Sequence, residues 1–147
     1  MKGHLILLLM LALGPLQASE TRAGPTTYYV QLIRGVDSDQ SPMPGCKRIG
    51  PALAKKFHAV FKWKHYWEVA SRRVEVAPGN SARVRLNTER EVEINLTDPK
   101  TRTVAAYHKG TVMERTICPR GQAMTFIGGD ERKSAWFIVV RRDKPGG

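Results

Sequence analysis

Pro51–Val69, PALAKKFHAVFKWKHYWEV, changes its hydrophobic period halfway along. Leu53, Phe57, Val60 and Phe61 recur at the i, i+4, i+7, i+8 spacing of an apolar helical stripe. Pro51 suits the first helical position, where its missing N–H costs nothing. Lys55, Lys56 and Lys62 fall away from the stripe. From Trp63 onward the period becomes two, with Trp63, His65, Trp67 and Val69 alternating with Lys64, Tyr66 and Glu68. The spacing predicts a short helix over about 51–61 that feeds directly into a strand. It sends Leu53, Phe57, Val60, Phe61, Trp63 and Trp67 to the core and leaves Tyr66 outside among the lysines.

On the N-terminal side, Thr27–Arg34 is rich in aromatic and β-branched residues and reads as a first strand. Its Val30 and Leu32 face is expected to point inward. Gly35–Gly50 is a long loop punctuated by Asp, Pro and Gly. On the C-terminal side the chain reads as hairpins. Arg73–Ala77 and Ala82–Leu86 flank the turn Pro78-Gly79-Asn80-Ser81. The next strand places Val92, Ile94 and Leu96 inward, with Glu91 and Glu93 across from Arg83 and Arg85. Thr101–His108 and Thr111–Ile117 flank the short turn Lys109-Gly110. Gln122–Ile127 precedes a loop opened by Gly128-Gly129-Asp130. Ala135–Val140 (AWFIVV) is apolar on both faces and reads as a central strand buried on both sides.

About seven to nine short strands with regular turn signals predict a mainly β, antiparallel sandwich-like domain with one short helix. The alternative is α+β. The domain is expected over 28–142, between a flexible leader (19–27) and a polar tail (143–147).

Residues 1–18 carry the marks of a secretory signal: Lys2 at the start, an apolar run from Leu5 to Leu13, and a small residue, Ala18, at the cut. The run is too short for a stable bilayer-spanning helix, and no later segment approaches one. The expectation is an exported protein, periplasmic or secreted, with no transmembrane segment in its mature chain. The 24 Lys and Arg against 13 Asp and Glu give a net charge of +11. Such a balance speaks to partners and solubility rather than to fold. Outside the cytosol it points to an anionic envelope polymer or an envelope protein, and nucleic acid is not an expected partner. Cys46 and Cys118 are the two cysteines. In an oxidising compartment they are expected to pair, closing a long loop that would stabilise by roughly 4 kcal/mol.

The candidate binding face comprises Lys55, Lys56, Lys62, Lys64 and Tyr66, since cations around an exposed ring suit a polyanion or a sugar acid. No catalytic constellation emerges. Ser71, Ser81 and Ser134 lack a nucleophile setting, and His58 and His65 straddle the helix–strand break with no third ligand for a metal. Neither a metal nor a cofactor is expected. Asp37 and Asp39 read as turn formers.

The pieces YYVQLIRG, IGPALAKKFHAVFKWKHYWEV, VEVAPG and FIGGDERKSAWFIVVRR, in that order, resemble small exported bacterial β-rich proteins of no assigned function. The resemblance implies a periplasmic or secreted β-rich module and transfers no site residues. The leading expectation is thus a non-enzymatic exported module with a binding or structural role at the cell envelope. A polyanion- or acidic-polysaccharide-binding protein is the second reading, and a small exported hydrolase the third.

Overall fold

In the computed structural model, residues 24–146 are described; the expected signal segment 1–18 and residues 19–23 of the leader lie outside the described residues. The first strand, β1 (Thr26–Val36), sits at the centre of a five-stranded antiparallel sheet. It already includes Thr26 and Thr27, which pair with Val76 and Glu75, so the last two leader residues belong to the sheet. After the loop come a two-residue edge strand, β2 (Lys47–Arg48), the helix α1 (Pro51–Val60) and the twelve-residue β3 (His65–Val76). Then follow β4 (Ser81–Arg85), β5 (Arg90–Asn95), β6 (Thr101–His108), β7 (Thr111–Pro119), β8 (Met124–Glu131) and β9 (Ser134–Arg141).

One sheet runs β2-β3-β1-β9-β8 and the other β4-β5-β6-β7, giving a mainly β, sandwich-like fold with nine strands and one helix. Tyr28, Val30, Leu32, Val92, Ile94, Leu96, Val104, Ile138 and Val140 fill the space between the sheets. Each such side chain contributes about 1.5–3 kcal/mol when fully buried. The Glu91 carboxylate bonds Arg83 and Arg85 on the adjacent strand, as the alternation predicts.

α1 covers the outer face of the five-stranded sheet and adds a third layer. Its Leu53 and Phe57 pack on Ile33, Tyr66, Phe137 and Val139. The central strands are therefore covered on both faces, and AWFIVV is the doubly buried strand its composition predicts.

Four expectations are corrected. Tyr66 is 3% exposed, not outward: it lies beneath the helix, its ring 4.9 Å from that of Phe57. Strict alternation marks one face as wet only when nothing covers it, and here a helix does. Val60 is 70% exposed, because the stripe on a ten-residue helix narrows to Leu53 and Phe57 once Phe61 leaves it as the C-cap. The turn after β3 is not a hairpin. It carries the chain from one sheet to the other, with Gly79 N–H donating to the Leu96 carbonyl of the second sheet. Gly128-Gly129-Asp130 lies within β8 and opens no loop. Gly128 has φ of 146°, and a Cβ there would overlap the Trp136 carbonyl oxygen and come within 2.8 Å of Phe137 Cα. Glycine is required at that close approach.

The expected Cys46–Cys118 bond does not form, and both thiols are free. Cys46 precedes β2 at one outer edge of the sandwich. Cys118 lies on β7, the edge strand at the other side, where its Sγ is buried against Thr125 Oγ1 at 3.4 Å. Sequence separation carries no information about that placement.

Candidate functional site

The lysines of the expected binding face are all exposed, but they do not act together. Lys62 Nζ pairs with Asp130 at 3.4 Å and lies over the Trp63 ring, while Lys56 lines a different cavity beside Arg141 and Arg142. Tyr66, the ring meant to sit among them, is enclosed, and burial pushes its phenol pKa above the ordinary value. The patch is a solvated surface, half on α1 and half on the segment after it, without its aromatic member.

A better-built site lies on the same outer sheet face, beside the start of the helix. α1 is about 15 Å long. β1 and β3 each run for roughly 35–40 Å. The helix thus shields only part of the face, and the remainder is left open. A bulge decides what occupies it. Between β1 and β3 the register passes from Leu32↔Ala70 to Ile33↔Glu68, leaving Val69 as an extra residue. That single insertion inverts the alternation of β3, so Glu68, Ser71 and Arg73 all share the outer face. Across from them on β1 stand Gln31, opposite Ser71, and Tyr29, opposite Arg73. Lys47 of β2 pairs with Glu68 from the other side.

These residues line a groove of about 320 Å³ with Lys144 at its rim. Arg72, between Ser71 and Arg73, points to the inner face, where it donates to the Leu86 carbonyl. A smaller lobe of about 140 Å³ continues to the first turn of α1, lined by Gly50, Pro51, Ala52 and Leu53. The helix start has no side-chain cap and no acidic residue in its first turn. Its free N–H groups and positive dipole end therefore favour negative charge in that lobe.

The floor has the opposite character. Gln31, 2% exposed, donates its Nε2 to Glu68 Oε2 at 3.0 Å, and Glu68 is itself only 8% exposed. Lys47 Nζ stands 3.8 Å from Glu68 Oε1. Gln31 Oε1 is buried with no donor, a deficit that costs about 1–3 kcal/mol in a protein interior. Gln31 borders both the groove and the lobe. At the rim, the Tyr29 hydroxyl first and the Glu75 carboxylate second hold the Arg73 guanidinium above its usual pKa. Donors above and acceptors below make a site for a ligand that carries both negative charge and hydrogen-bond donors.

Sequence reasoning missed every member of this groove. One signal was present: Gln31 interrupts the apolar run YYVQLI, and a polar side chain inside a doubly covered strand requires a partner. The convergence of Glu68, Ser71 and Arg73 required the bulge, which has no mark in the alternation.

A second cleft, about 220 Å³, opens between the sheets on the β7–β8 side. Its polar groups are spent on one another. Arg90 bonds Glu131 at 2.6 Å and stacks on Trp136, whose Nε1 also donates to Glu131. Glu114 accepts the Gly128 N–H at 2.9 Å. This network closes the open end of the sandwich. His58 lies exposed on α1 against the Tyr66 ring, and His65 faces Asp39 at 3.5 Å; neither borders the groove, its lobe or the cleft. Asp37 and Asp39 tie the loop down through the Lys64 N–H and Arg48. Among the described residues, no three His, Cys, Asp or Glu converge on a metal position, and no helix is long and apolar enough to cross a membrane.

Set beside known proteins, the chain matches no family model, no curated protein and no solved structure, so the groove itself carries the functional reading.

Proposed function

We propose that this protein is a non-enzymatic, exported binding module of the cell envelope that takes an anionic polymer into the groove beside α1. The observation that carries the reading is the gathering of Lys47, Arg73 and Lys144 around one concave surface whose lobe reaches the first turn of α1. A chain with net charge +11 supplies long-range attraction, and the groove supplies the place where it is used. Export rests on the signal-like residues 1–18, and the resemblance to small exported bacterial β-rich proteins supports the same address.

The test compares two variants for binding to a sulfated polysaccharide by isothermal titration. Lys47→Ala/Arg73→Ala is expected to weaken binding by about tenfold or more, while Lys55→Ala/Lys56→Ala changes it less than about twofold. Because several ionic contacts release counterions, log K should fall linearly with log salt, and the slope should flatten in the groove variant alone. Equal losses in both variants, or affinity indifferent to salt, would overturn the assignment.

A further inference from the structure

We infer that the groove reads an acidic sugar: a polymer whose residues carry a carboxylate together with free hydroxyls. The inference rests on the binding reading above and narrows its ligand class. Charge alone would not put Gln31 and Glu68 on the floor of an anion site. A carboxylate there repels a bare polyanion such as polyphosphate, yet it accepts hydrogen bonds from hydroxyls. Gln31 has the same polarity: its Nε2 is already committed to Glu68 Oε2 at 3.0 Å, which leaves Oε1 a buried, unpartnered acceptor on a residue that borders both groove and lobe. A hydroxyl donor satisfies Oε1, and an anion without hydrogens cannot. The rim then takes the carboxylate, with Lys47, Arg73 and Lys144 as donors. Tyr29, level with Arg73 on the sheet, offers a ring against which a sugar face can lie. The volume of about 320 Å³ sits at the lower end of small-molecule sites, which suits a sugar ring held at a surface rather than engulfed. Selectivity follows from the same pairing, since a site built to bond hydroxyls discriminates strongly against analogues that lack them.

The experiment titrates the purified mature protein, at fixed ionic strength, with polygalacturonate, polyphosphate and uncharged dextran of similar length. Polygalacturonate is expected to bind about tenfold more tightly than polyphosphate, with dextran weakest. Gln31→Leu is expected to reduce the polygalacturonate affinity about tenfold, well beyond any loss for polyphosphate. Because Gln31 is buried, the fold of that variant is checked by circular dichroism. The same question is also put to the unsubstituted protein by NMR, where the Gln31 side-chain amide signals should shift with polygalacturonate and not with polyphosphate. Polyphosphate binding as well as polygalacturonate, with no Gln31 shift, overturns the sugar reading and leaves the anion reading standing. Failure of both anions to bind overturns the two together.

Discussion

Replacing Phe57 with alanine removes the side chain through which α1 is seated on the sheet, and its cost measures how firmly the helix beside the groove is held. Phe57 is fully buried. Its ring lies 4.9 Å from Tyr66, 5.2 Å from Phe137, and 5.3 Å from Phe61 and Phe126. Phe→Ala at such sites costs about 3–5 kcal/mol, the spread reflecting how far the surroundings collapse into the cavity. Here collapse is limited on one side. Phe137 and Ile33 rise from β9 and β1, each hydrogen-bonded to neighbours on both flanks, so only the helix can move. The expected loss is about 4 kcal/mol, a large share of the roughly 5–15 kcal/mol available to a domain. With a urea m-value of about 1.5 kcal/mol/M, the unfolding midpoint followed by tryptophan fluorescence should fall by roughly 2–3 M. Val60→Ala is the internal comparison. It sits on the same predicted stripe but is exposed, so its effect should stay within about 0.5 kcal/mol. A Phe57→Ala loss below about 1.5 kcal/mol, or a Val60→Ala loss of the same size as that of Phe57→Ala, would refute the seating of α1 described here.

The free thiols give a direct check on the edges of the sandwich. In native buffer an alkylating reagent should add one label, at partly exposed Cys46, and a second, at buried Cys118, only after denaturation; a mass unchanged even in denaturant would restore the disulfide. Acid should act on Asp130, whose pKa is held below the usual carboxylate value by the Trp63 indole N–H first and by Lys62 as well. A carboxyl with a depressed folded pKa adds stability above its unfolded pKa, near 3.9, and that stability is lost as pH falls through the folded value. The Trp63 indole N–H resonance should therefore titrate with a midpoint below about 3.9, and a midpoint at or above that value contradicts the 2.9 Å bond.

The parts of the fold that could be read from the chain were those governed by neighbours along it. The helix start at Pro51, the Lys109-Gly110 hairpin, and the inward set Val92, Ile94 and Leu96 depend on local backbone preference and period. The doubly buried β9 was legible because both its faces are apolar. Where prediction and structure part, a distant element intervenes. Tyr66 looks wet by alternation until α1 is laid across it. The Pro78–Ser81 turn looks like a hairpin because its residues specify a reversal, not the sheet that receives the next strand. Arg102 shares the inward parity of Val104 and Ala106 and is fully buried, which a cation's type alone would not suggest. It donates to the Gln122 carbonyl and Thr125 Oγ1 and stacks near Tyr28.

Sequence alone determined the class of this protein: its basic charge, its β-rich sandwich-like domain and the helix-to-strand switch at Pro51–Val69. These follow from composition and from periods of two and 3.6, which are properties of adjacent residues. The tertiary structure decided where a ligand can sit. The groove exists because a ten-residue helix covers only part of a longer sheet, and because one extra residue, Val69, turns Ser71 and Arg73 to the face of Glu68. Both are matters of register between strands far apart in the chain, and no local pattern encodes them.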